Sequence, residues 1–125
     1  MIPLDLTTRK LQAFLAGAAA TTNPTVTVSY YDVPKGQQKS DYSDYPRTPV
    51  FTVLSGVSET DVCSAPNQGV SRHIDYINIY NTDSASVDCF VVIDDNGTNR
   101  IQVKITLATT ESAVWTPASG WKVVT

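Results

Sequence analysis

The stretch that decides the fold is the hairpin from Ser86 to Leu107. Its first arm is Val87-Asp88-Cys89-Phe90-Val91-Val92-Ile93, it turns at Asp94-Asp95-Asn96-Gly97, and it returns through Ile101-Gln102-Val103-Lys104-Ile105-Thr106-Leu107. Asn-Gly tolerates positive φ at both central turn positions, which matches the twist of paired antiparallel strands. The returning arm alternates strictly, so Ile101, Val103, Ile105 and Leu107 are expected on the core face and Gln102, Lys104 and Thr106 in water. The outgoing arm is apolar on nearly both faces, the pattern of an inner strand. An all-β domain follows.

Working outward, Arg72 to Asn81 reads as a strand with His73, Asp75, Ile77 and Ile79 on one face. Ile74, Tyr76, Asn78 and Tyr80 occupy the other. Thr25 to Tyr30, Val50 to Leu54 and Ser58 to Cys63 read as shorter strands. Glu111 to Thr116 and Trp121 to Thr125 form a last hairpin around Pro117-Ala118-Ser119-Gly120. About eight short strands at turn-spaced intervals suggest an antiparallel β-sandwich or a small jelly-roll-like barrel. Lys10 to Ala20 is ambiguous: Leu11, Phe14, Leu15, Ala18 and Ala19 make a helical stripe, yet the segment leads into a plain strand.

With 125 residues the chain fits one domain with a real core. Residues 1–8 are expected as an extended N-terminal arm and residues 9–125 as the domain, with a long loop at 34–49. Charged residues make up only 17% of the chain, below the roughly 25% usual for soluble domains. The surface is therefore largely neutral and polar, which suits a protein docked to neighbours. Net charge is −3 and no Lys/Arg cluster exists, which argues against nucleic-acid binding. Nothing has the apolar length of a membrane span. The N-terminus lacks the basic and apolar regions of a signal peptide, so the product is expected to stay in the cytoplasm where it is made.

No residue pattern calls for an enzyme, a metal or a cofactor. His73 and Asp75 share a strand face, but no nucleophile elbow accompanies them, and solvated strand polars account for the pair. Asp94 to Gly97 lacks the further oxygens of a calcium loop. Asn96-Gly97-Thr98 is formally a glycosylation sequon, expected to remain bare without a signal peptide. Cys63 and Cys89 have neither CxxC spacing nor a His partner and read as small buried hydrophobes, with a disulfide between them left open. Trp115 and Trp121 could sit side by side across the last turn, either capping the core or offering a platform for a sugar. The residues expected to bind a partner are Ile2, Leu4 and Leu6 of the arm and Tyr42 and Tyr45 of the loop. Their alternation and repeated Ser-Asp-Tyr offer apolar and amphipathic contacts.

Several stretches occur in order: Leu15-Ala16-Gly17-Ala18, Thr22-Asn23-Pro24, Val28-Ser29-Tyr30, Ile79-Tyr80-Asn81-Thr82-Asp83, Asp94 to Thr98, Val103 to Ala108, and Gly120-Trp121-Lys122-Val123. Together they resemble small virion structural proteins of tailed bacteriophages: head decoration, cement or fibre-associated β-sandwich proteins. The likeness covers most of the chain outside residues 34–49 and rests on turn and strand signatures. It implies an antiparallel sandwich, a strand at Leu11 to Leu15, and a homo-oligomer, commonly a trimer. The expected function is then a capsid decoration or cement protein in the virion, contacting the major capsid protein or other virion proteins. A tail-fibre or head-fibre attachment module and a carbohydrate-binding module are the alternatives.

Overall fold

Asn96 and Gly97 adopt φ of 53° and 91°, the positive pair that the hairpin turn requires. Asp94 Oδ1 accepts the Gly97 N–H at 2.9 Å, and the Asn96 N–H reaches the Thr8 carbonyl. The turn is thus fixed by local hydrogen bonds that occupy its carboxylate. It joins β7 (Val87–Asp95) to β8 (Thr98–Leu107).

The computed structural model describes residues 2–36 and 45–125. Before the hairpin come β1 (Ile2–Leu4), β2 (Arg9–Leu15), β3 (Thr25–Pro34), β4 (Thr48–Val53), β5 (Thr60–Cys63) and β6 (Val70–Tyr80). After it come β9 (Ser112–Thr116) and β10 (Gly120–Val124). All pairings are antiparallel. One sheet runs β10-β9-β6-β3-β4, with β1 also on β6, and the other runs β5-β2-β7-β8. The two sheets face each other as a β-sandwich and do not close into a barrel.

β6 is the spine of the larger sheet. Its first half pairs β1 through Ile2↔Ile74 and Leu4↔Arg72, and its second half pairs β9 through Ile77↔Trp115 and Tyr80↔Ser112. β3 follows its whole length on the other side. A bulge leaves Asp75 unpaired between Tyr76↔Ser29 and Ile74↔Tyr30. One extra residue reverses the alternation, so Ile74 is buried with Ile77 and Ile79 rather than opposite them.

A second bulge corrects the hairpin. Val91 pairs Val103 but Val92 pairs Ile101, so Gln102 is the extra residue. Ile105 and Leu107 are buried as expected, Val103 is half-buried, and Ile101 is turned outward to 63% exposure.

Leu11, Ala13 and Leu15 enter the core as alternate residues of a strand. The helical stripe in the sequence arises because Phe14 is apolar too, yet it points outward and stacks on Phe90 at 5.2 Å. The extended N-terminal residues include β1, which pairs with β6 of this chain. Ile2 and Leu4 lie in this chain's own hydrophobic core, Leu4 with 0% exposure. Burying a Leu side chain contributes about 1.5–3 kcal/mol, enough to hold β1 against its own sheet.

Candidate functional site

Of the residues expected to contact a partner, Ile2 and Leu4 are therefore occupied within the fold, and Leu6 is exposed. Tyr42 lies outside the described residues. Tyr45 folds back over its own sheet, its ring stacked on Tyr31 at 6.2 Å. Tyr31 also stacks on His73 at 5.1 Å and carries the Arg47 guanidinium 4.1 Å above its ring. Arg47 Nε donates to Asp75 at 2.6 Å. Asp75 thus faces Arg47, and burial beside Tyr31 lowers the His73 pKa. The His73–Asp75 pair does not form a base oriented by a carboxylate.

The motif Asn81-Thr82-Asp83 is a structural clamp. Asp83 is buried, and its carboxylate accepts the backbone N–H groups of Ala20, Thr21, Thr22 and Ser84 at 2.8–3.2 Å. Those bonds, the one from Ala20 foremost, hold its carboxyl well below the usual carboxylate range. Asn81 Nδ2 donates to the Ala85 and Leu107 carbonyls, while its Oδ1 accepts the Asp83 N–H. These residues fasten the loop before β3 to the loop after β8.

The last hairpin places Trp115 opposite Trp121, but Trp115 is in the core and Trp121 packs against it. The indoles cap the interior rather than line an open platform. Cys63 and Cys89 are free and buried, and burial pushes their thiols up to about 11 and about 12. They are protonated at neutral pH and chemically quiet.

The larger sheet presents a different kind of surface. Its outward side chains line up in cross-strand rows, because paired residues of adjacent strands point the same way. One row reads Val53–Thr25–Tyr80–Ser112–Val124 from β4 to β10. The next reads Phe51–Thr27–Asn78–Val114–Lys122. A partial third row joins Pro49, Ser29 and Tyr76. Phe51 is 76% exposed and Val53 61%, and Tyr80 and Val124 are exposed as well. Lys122 is the one charge in these rows. Asn78 Nδ2 donates to the Tyr76 phenol oxygen at 3.2 Å, while Asn78 Oδ1 is buried without a hydrogen-bond partner.

The sequence reading missed this face. The usable signal was Val50-Phe51-Thr52-Val53-Leu54, where both phases of the alternation hold large apolar side chains. One phase had to face outward.

A cavity of about 380 Å³ opens at the other end of the molecule, lined by Asp5, Leu6, Thr7, Lys35 and the Asn67–Gly69 turn. Lys35 Nζ is already bonded to the Asp5 carbonyl at 2.6 Å. Among the described residues, no group of three or more His, Cys, Asp or Glu side chains could hold a metal, and no helix is long and apolar enough to cross a membrane.

No family model, curated protein or solved structure matches the chain. The functional reading therefore rests on the site's own chemistry.

Proposed function

We propose that this chain is a structural protein of a tailed-bacteriophage particle, a capsid decoration or cement protein that acts by docking on neighbouring subunits. The observation that carries this reading is the outer face of the six-stranded sheet. It holds two complete rows of neutral and apolar side chains with a single charge, and Phe51 is 76% exposed in it. A contiguous outward face of this kind is the surface of a protein that lives against another protein. The low charge of the whole chain and the likeness of its turn motifs to small virion proteins support the particle as its setting. Its partners would be the major capsid protein or other virion proteins, together with further copies of itself.

Attachment to a tail or head fibre is the second reading, since the same docking chemistry serves it. The inward-facing tryptophans speak against a sugar platform at Trp115 and Trp121.

Quantitative mass spectrometry of purified particles separates these readings. Copies commensurate with the major capsid protein are the expected result. A few to a few dozen copies would move the protein to the tail or a fibre, and its absence would overturn the virion reading.

A further inference from the structure

We infer that the occupant of the six-stranded sheet's outer face is a second copy of this chain, related to the first by a two-fold axis running along β6. The inference rests on the docking reading of that face, and it names the partner. Its first support is the order of side chains across the sheet. Val53–Thr25–Tyr80–Ser112–Val124 reads nearly the same in both directions: a Val at each edge, a β-hydroxyl residue next, and Tyr80 at the centre on β6. A two-fold interface must be complementary to itself, with each residue meeting its counterpart across the axis. Rotating one copy onto the other about β6 sets Val53 over the partner's Val124, Thr25 over Ser112 of the partner subunit, and Tyr80 over its own equivalent.

The second row obeys the same operation with different chemistry. Phe51 and Lys122 stand at opposite ends, so each phenyl ring meets a lysine of the other copy. An ammonium over an aromatic face is attractive. Lys122, the lone charge of the two rows, then finds a partner without a carboxylate, and no two lysines are brought together. Thr27 meets Val114, and Asn78 meets its own counterpart on the axis.

Area gives the third support. Two rows across five strands about 4.8 Å apart and a third across three strands, at about 6.8 Å per row, cover roughly 420 Å² in flat projection. Two such faces bring together about 850 Å² before side-chain relief is added, close to the about 1,000 Å² expected of a specific protein pair. Face-to-face sheets of this extent pack about 10 Å apart with their strands nearly aligned.

The test uses the purified full chain with no particle present, so it stands apart from the copy-number measurement. Sedimentation equilibrium is expected to give a dimer. A monomer at about 100 μM overturns the inference. A trimeric mass overturns the two-fold axis. The axis itself is read by single cysteines and a short bis-maleimide cross-linker, since the native thiols are buried and protonated. Tyr80→Cys is expected to cross-link to its own copy. Val53→Cys alone is expected to remain uncoupled, but to couple when mixed with Val124→Cys. Val53→Cys coupling to itself as readily as to Val124→Cys would overturn the geometry. Circular dichroism of each variant checks that the sandwich is intact, and all three positions are exposed. A dimer that forms while the protein is missing from particles would leave this inference standing and remove the virion reading.

Discussion

On the outer face of the four-stranded sheet, Lys10 and Gln12 both bond Asp61, Lys104 lies 5.6 Å from the Phe90 ring, and Thr106 donates to Asp88. On the outer face of the six-stranded sheet, the corresponding positions carry Phe51, Thr27, Val53, Tyr80 and Val124. Both faces expose large apolar side chains, Ile101 on the first and Phe51 on the second. The difference lies in what a partner would have to undo. Covering the first face desolvates charges that already satisfy one another, a penalty of several kcal/mol for an ion that ends without compensation. Covering the two complete rows of the second removes mostly carbon and hydroxyl groups from water, because the Arg47–Asp75 pair of that sheet lies outside them. An isolated apolar residue among ion pairs is ordinary surface, whereas contiguous apolar rows are the kind of surface the proposed docking uses.

The largest expected effect tests the frame beneath the neutral face. Leu4→Ala removes a side chain with no exposure and should lower stability by about 2–5 kcal/mol, read as a reduced urea midpoint. The protein that remains folded should keep its affinity for the partner, because Leu4 points into the sandwich. An unchanged midpoint would mean that β1 adds nothing to the stability of the sandwich.

Phe51→Glu comes next and addresses the comparison directly. It introduces a carboxylate at the most exposed large hydrophobic position among the described residues, so association should weaken about 100-fold with little change in stability. Ile101→Glu, on the other face, should change association less than about twofold. Equal losses from the two variants, measured by sedimentation, would erase the distinction between the faces.

Much of this architecture was legible because its signals are local. Asn96-Gly97 between alternating runs identifies the hairpin, and the Thr25 to Tyr30 alternation identifies β3. The bulges at Asp75 and Gln102 were not legible: each is one additional residue with no compositional mark, yet each reverses the facing of everything beyond it. Hence Ile101 was expected inside and Ile74 outside the set of Ile77 and Ile79. The Leu4-Asp-Leu6 alternation announces an extended segment, but alternation is identical for a strand paired within the chain and one paired outside it. The neutral face was hidden for a topological reason. Its rows are drawn from β4, β3, β6, β9 and β10, and only the pairing brings Val53 and Val124 onto one line. The repeated Ser-Asp-Tyr drew attention to residues 42 and 45 by composition, while Tyr45 stacks on Tyr31.

The smallest expected effect probes the charged face through pH. The Gln12 side chain, foremost, and Lys10 lower the Asp61 carboxyl below its ordinary value. A carboxyl lowered on folding adds stability that is fully present above its unfolded pKa, near about 4, and is lost as pH falls through the lower folded value. Asp61 is about half exposed, with 51% of its side chain open to solvent, so solvent screening limits the contribution to about 0.2–1 kcal/mol. Asp61→Asn should therefore be slightly less stable than the parent at pH 7, and the two urea midpoints should converge as the pH falls through the lowered folded value. Asp83 also loses its stabilising charge over the acid range, but it does so in both proteins and cancels from the difference. A gap that persisted unchanged into acid would mean that Asp61 acts through packing rather than charge. The four-stranded face would then be no more committed to its own ion pairs than the neutral one.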